Sequence, residues 1–278
     1  MENYILSNGV EVPKIGFGTW QMSESDAFLS VQTALEIGYR HIDTASAYGN
    51  EETVGQAVKS FGLLREEIFL TTKLNANARD FDTAIIEIDK SLSALDTEFI
   101  DLLLIHWPNP LVTRPDFKER NAAVWQAMEK VVRDGKVRAI GVSNFQRHHL
   151  EALMETAEIA PVVNQIYCNP SDQQEEIQLM NHEFNLLTEA YSPLGTGEIF
   201  KIRALEKLTE KYDKSVAQIV LRWHIQKGYL PLPKSVSADR IRENFEIFDF
   251  QLSAEDVRFI DSLHGALTPH KFPDTVLF

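Results

Sequence analysis

The stretch DLLLIHWPNPLVTRPDFKERNAAVWQAMEKVVRDGKVRAIGVSN, residues 101–144, decides the fold. It opens on a short apolar run, Asp101–His106. Val124, Met128 and Val131 follow at helical spacing, and Gly135 ends that pattern. A second apolar run, Ala139–Ser143, comes next. Strand, helix, strand in that order requires a crossover connection, which makes the two strands parallel neighbours.

Working outward, the same alternation covers the chain. Short apolar runs at Ile15–Gly18, Tyr39–Asp43, Ile68–Lys73, Val162–Gln165, Leu186–Tyr191 and Leu230–Pro233 complete a set of eight candidate strands. Between them, Phe28, Val31 and Leu35 repeat at helical spacing, with Ser23 as N-cap and Gly38 as stop. Ile85, Ile88, Leu92 and Leu95 do the same after Asp80. Eight strand–helix units predict a closed (β/α)8 barrel; an open doubly wound sheet is the alternative. Ahead of the barrel, YILSNGVEVP (4–13) reads as a β-hairpin, whose Asn8-Gly9 pair suits a type I′ turn.

Bulk properties set the limits. The 278 residues suit one domain, 1–278, since single barrels run to roughly 250 residues. A hydrophobic share of 44% is ample for a core. The single cysteine, Cys168, allows no intrachain disulfide, and the first residues lack a secretory pattern, so a cytoplasmic location is expected. No run approaches the roughly 20 apolar residues of a membrane span. The net charge of −14 argues against nucleic acid as a partner. An anionic cofactor would need a local basic pocket.

In an α/β barrel the site lies at the C-terminal strand ends. Those ends carry Asp43, Lys73, His106, Ser143-Asn144, Gln165, Tyr191 and Lys234, with Tyr48 just past the second strand. Each alone has a plain structural reading: a turn aspartate, a solvated lysine, a packed histidine or tyrosine. As a set they point to a site. There is no G-x-S-x-G elbow, no H-E-x-x-H and no carboxylate-rich metal cluster, so no metal is expected. The Gly16-Phe17-Gly18 pair falls short of a Rossmann dinucleotide fingerprint. His148-His149, Cys168 and His182 read as structural or surface residues.

DTASAYGNE (43–51), FLTTK (69–73), DLLLIHWP (101–108), IGVSNF (140–145), NQIYCNP (164–170), AYSPLG (190–195) and PKSVSADRIREN (233–244) resemble, in order, signature segments of the aldo-keto reductase family. The resemblance implies a barrel that binds NADPH without a Rossmann fold, and a catalytic tetrad at Asp43, Tyr48, Lys73 and His106. Carbonyl reduction needs a hydride at carbon, which no side chain supplies, and a proton at oxygen. Tyr48 would give the proton. A free phenol titrates near 10, and the Lys73 cation is expected to lower that value. Asp43 would hold Lys73 in place, and His106 would orient the carbonyl. The family's steroid double-bond reductases carry glutamate where His106 stands, so histidine here favours carbonyl reduction.

The resemblance further implies that Ser143, Asn144 and Gln165 hold the nicotinamide carboxamide and Tyr191 stacks on the ring. Ser192 and Leu194 would meet the pyrophosphate, and Lys234, Ser235, Arg240 and Asn244 the adenosine end. Arg240 and Lys234 suit a 2′-phosphate, hence NADPH over NADH. Trp20 and Trp107 would wall the substrate pocket. The short tail after about Ser262 suits an open site for small polar carbonyls, as in the branch of 2,5-diketogluconate and broad aldehyde or methylglyoxal reductases. A cofactor-binding regulatory protein with little turnover is the rival, and a non-redox hydrolase or lyase barrel a more distant one.

Overall fold

The computed structural model of the protein describes residues 2–267 and 272–277. Two short strands, β1 (Asn3–Ile5) and β2 (Glu11–Pro13), pair antiparallel as the expected hairpin. Its turn differs from expectation. Gly9 has φ 85°, but Asn8 is not in the positive-φ region that a type I′ turn requires of both residues. Instead the Gly9 N–H donates to the Leu6 carbonyl and the Leu6 N–H to the Val10 carbonyl. That is a three-residue loop in which glycine alone takes the left-handed conformation. Asn8 Oδ1 is then free to accept from the Val10 N–H at 3.2 Å.

Eight parallel strands follow: β3 (Phe17–Gly18), β4 (His41–Asp43), β5 (Phe69–Leu74), β6 (Ile100–Ile105), β7 (Val137–Ser143), β8 (Val163–Tyr167), β9 (Leu187–Tyr191) and β10 (Leu230–Leu232). Each lies within a few residues of its predicted run. The sheet closes where the Gly16 and Gly18 N–H groups donate to the Pro231 and Pro233 carbonyls at 3.1 and 3.0 Å. The open-sheet alternative is thereby excluded. Gly16 is required at this seam, because a Cβ there would lie 2.5 Å from Leu232 Cδ2 and 2.7 Å from His41 Nδ1.

Helices α1 (Glu24–Ile37), α2 (Glu51–Phe61), α3 (Phe81–Ala94), α4 (Phe117–Arg133), α5 (Arg147–Met154), α6 (Glu175–Glu183), α7 (Glu206–Tyr212), α8 (Val216–Gln226), α9 (Ala238–Phe245) and α10 (Ala254–Asp261) surround the strands. The predicted caps are in place. Ser23 Oγ accepts from the Asp26 N–H, and Gly38 ends α1 at φ 124°. Asp80 accepts from the Thr83 N–H in a reciprocal capping box.

Strand alternation explains where the core and the polar residues sit. Leu70, Leu74, Leu103, Ile105, Ile140 and Val142 face outward and pack with the helices. Phe69, Leu102, Leu104, Ala139, Val163, Leu230 and Leu232 face into the barrel, where Leu6 and Val12 of the hairpin close its floor. Continuing each inward series in steps of two, with Leu187 as its member on β9, brings Lys73, His106, Ser143, Gln165 and Tyr191 to the upper mouth.

The last described segment folds back on the barrel. Asp274 accepts from the Asn109 amide and lies 3.4 and 3.0 Å from His148 and His149 Nε2. His149 Nδ1 already accepts from the Gln146 N–H, so in the neutral ring Nε2 carries the proton and has no lone pair for a metal. Residues 268–271 of the tail lie outside the described residues.

Candidate active site

Lys73 is the deepest member of the site and is wholly buried. Its ammonium donates to Asp43 Oδ1 at 2.7 Å, to the Thr44 carbonyl at 2.8 Å and to the Tyr48 hydroxyl at 3.4 Å. All three ammonium hydrogens are thus directed at oxygen, which is what an ammonium needs inside a barrel. Burial disfavours the charge, but Asp43, and the Tyr48 hydroxyl with it, outweigh burial and hold Lys73 above the usual lysine range.

Tyr48 stands on a single 3-10 turn, Ser46–Tyr48, closed by Gly49 in the left-handed conformation at φ 68°. The turn is pinned on both sides. Ser46 Oγ donates to the Lys73 carbonyl at 2.9 Å. Thr44 Oγ1 donates to Asn50 Oδ1 at 2.8 Å, while Asn50 Nδ2 donates to the Thr19 carbonyl at 3.0 Å. Ser46 and Asn50 had not been singled out, although both sit inside DTASAYGNE. The expected fall in the Tyr48 pKa is not found. Burial raises it, and this outweighs the nearby Lys73 charge, so the phenol keeps its proton at neutral pH.

The His106 ring stands edge-on to Tyr48, with centroids 5.7 Å apart. Burial and the Lys73 charge push its pKa down to about 3, so the imidazole is neutral. Asp43, Tyr48, Lys73 and His106 therefore come together, although 63 positions separate the first from the last in the chain.

Around this group opens a cleft of about 1140 Å³. That is slightly above the usual range of about 300–1,000 Å³ for a small-ligand pocket. Every other predicted site residue lines it: Trp20, Trp107, Ser143, Asn144, Gln165, Tyr191, Ser192, Leu194, Lys234, Ser235, Arg240 and Asn244. Tyr48, His106 and Asp43 also reach it, whereas Lys73 stays beneath. Asn144, at φ 62°, donates to the His106 carbonyl at 3.0 Å and to Ser143 Oγ at 3.1 Å. The Tyr191 hydroxyl donates to Asn144 Oδ1 at 2.9 Å, which fixes the ring. Arg240 lies in the first turn of α9, where the helix dipole also favours an anion. Among the described residues, no acid pairs with Arg240 or Lys234. Unpaired cations in so acidic a chain fit a phosphate.

Sequence reasoning missed Glu189. It is fully buried on β9, two residues before Tyr191, and β9 pairs it with Gln165. Gln165 Nε2 donates to Glu189 Oε2 at 2.9 Å and to Asp43 Oδ2 at 2.8 Å. The signal was available, because two back from an inward tyrosine is again inward. Thr196, Gly197 and Phe200, in the turn segment Gly195–Lys201, also line the cleft unannounced.

The chain is similar to a glyoxal reductase of Bacillus subtilis, with 43% identity over 274 residues, 98% of this chain and 96% of that one. It is 40% identical over 261 residues to the methylglyoxal reductase DkgA of Escherichia coli, covering 93% and 92% of the two chains. A variant of Gox0644, solved in complex with NADPH, superposes with a TM-score of 0.92 at 34% identity, over 100% of this chain and 99% of that one. The sequence model of the Aldo/keto reductase family matches residues 14–264, and with that span and these relatives the chain belongs to the aldo/keto reductase family.

Proposed function

We propose that this reductase uses NADPH to convert small, reactive aldehydes and ketones, dicarbonyls such as methylglyoxal among them, to alcohols. The observation that carries the reading is the Lys73 ammonium, 2.7 Å from Asp43 and 3.4 Å from the Tyr48 hydroxyl, beneath a cleft that His106 borders. NADPH supplies the hydride. Tyr48 gives its proton to the carbonyl oxygen as negative charge develops there. The Lys73 cation stabilises the phenolate this leaves, and Asp43 keeps the cation fixed in the low-dielectric interior. Neutral His106 donates an N–H to the carbonyl oxygen and sets its angle.

The cofactor reading is supported by the chemistry along the cleft. Ser143, Asn144 and Gln165 offer amide and hydroxyl groups for a carboxamide. Tyr191 offers a flat face for stacking. Ser192 and Leu194 border the middle of the cleft, and Ser235, Lys234, Arg240 and Asn244 suit a phosphorylated ribose. The NADPH complex of Gox0644, of the same fold, is in keeping with this. Trp20, 45% exposed, and Trp107 would form the wall against which a small substrate rests. The substrate class is supported by the names of the relatives, a glyoxal and a methylglyoxal reductase. A panel of glyoxal, methylglyoxal, sugar aldehydes, keto-sugar acids and a bulky steroid ketone, scored by kcat/KM with NADPH, tests it. Small dicarbonyls are expected at the top. A preference for the steroid, or no NADPH consumption with any of them, overturns the reading.

A further inference from the structure

Both hydrogens of the Gln165 side-chain amide are taken from below. One reaches Asp43 Oδ2 at 2.8 Å and the other Glu189 Oε2 at 2.9 Å. The Asp43 carboxylate that pairs with Lys73 identifies that atom as nitrogen, since an amide oxygen there would face an acceptor. The orientation that is ordinarily ambiguous in a glutamine is therefore fixed by its partners. Asp43 already serves Lys73, so Glu189 is the partner that has no other described task. It is fully buried, and no described group donates to its Oε1. Burial, with Asp43's charge beside it, raises its pKa to about 8, so it stands largely protonated at pH 7. It can therefore accept from Gln165 without adding a second full charge beside Asp43.

With the nitrogen held inward, the polar atom that Gln165 presents to the cleft is Oε1. We propose that Glu189 is a positioning residue of this reductase: it holds the Gln165 amide so that Gln165 meets the nicotinamide as an acceptor and captures the N–H of its carboxamide. This rests on the proposed placement of the nicotinamide against Ser143, Asn144 and Gln165. Without Glu189, one amide hydrogen loses its acceptor. The amide nitrogen then keeps Asp43 Oδ2 as its one partner, and the side chain is free to rotate out of line.

The test uses the intact enzyme and two cofactors, NADPH and its 3-acetylpyridine analogue, whose acetyl group accepts hydrogen bonds but has no N–H to give. Dissociation constants are read by fluorescence quenching. Glu189→Gln keeps a carbonyl oxygen at the same position and is expected to bind both cofactors within about twofold of the parent. Glu189→Leu removes the acceptor and is expected to weaken NADPH by about tenfold while changing the analogue by less than about twofold. Glu189→Met, with its more adaptable side chain, replaces the leucine variant should that fail to fold. Equal weakening of both cofactors by Glu189→Leu or Glu189→Met, or unchanged NADPH affinity, overturns the proposal. Gln165→Met separates the two layers of argument. If it too leaves the preference for NADPH over the analogue intact, the carboxamide placement has failed and the Glu189 role falls with it. If it abolishes that preference and the Glu189 variants do not, only the Glu189 role is wrong.

Discussion

Tyr48 is a phenol whose proton is held more tightly than usual, next to a lysine held more charged than usual. Such a pair does not rest as a phenolate. In the proposed reaction it would release the proton as an oxyanion forms within reach, and the lysine would stabilise what remains. Tyr48→Phe removes the proton and little else. Its kcat is expected to fall by at least about a hundredfold, the usual scale for losing a general acid, with NADPH affinity nearly unchanged. A kcat retained at the parent value excludes Tyr48 as the acid. At the other end of the cleft, Arg240 is exposed and unpaired among the described residues. Arg240→Ala is expected to raise the KM for NADPH by about tenfold or more, and that for NADH by far less. Equal effects on both cofactors would defeat the phosphate assignment.

Among elements, the seam between β3 and β10 is a place where the barrel depends on a single residue. β3 is regular over two residues only, and Gly16 lets the chains approach. Gly16→Ala forces a methyl group against Leu232 and His41, an overpacking that typically costs about 1–3 kcal/mol. A lower melting temperature is expected, and an unchanged one would mean that the seam relaxes freely. The same seam carries the end of the cleft proposed for the cofactor, since Lys234 and Ser235 follow β10 directly. A rise in the NADPH KM should therefore accompany the loss of stability.

Over the whole molecule, several buried groups are held out of their ordinary protonation state. Burial above all lowers His41 and His106 to about 3 and His149 and His224 to about 4, from a usual 6.5. In the unfolded chain each would take up a proton below pH 6.5, so acid favours unfolding. Each can contribute up to about 1.4 kcal/mol per pH unit between 6.5 and its folded value. Glu189 acts in the opposite sense. Folded, it keeps its proton up to about 8, and unfolded it loses it near 4.5, so stability falls as pH rises between those values. Up to about pH 7 the four histidines together outweigh it, and above that it prevails. Thermal melting is expected to be highest near about pH 7, with Glu189→Gln flattening the decline on the alkaline side. A melting temperature that keeps rising to about pH 8 in the parent would contradict this balance.

How much of this was legible beforehand follows from the range over which each feature is determined. Apolar periodicity, Ser23 and Asp80 as caps, and the order of the strand runs are local, so the sequence alone determined the alternation; closure into a barrel rather than an open sheet was decided by the bonds of Gly16 and Gly18 to Pro231 and Pro233. The signature segments brought Asp43, Tyr48, Lys73 and His106 into view because each ends or follows a strand. The type of turn at Asn8-Gly9 differs from expectation because the dipeptide suits both a two-residue type I′ turn and a three-residue loop with glycine alone at positive φ. The direction of the Tyr48 pKa was also misread, because charge can be counted in a sequence but burial cannot. Glu189 was passed over because a glutamate in an apolar run looks like noise until the strand's inward parity is known. Only the tertiary structure set it against Gln165 and Asp43, where low dielectric and a neighbouring carboxylate together decide what a carboxyl group can be.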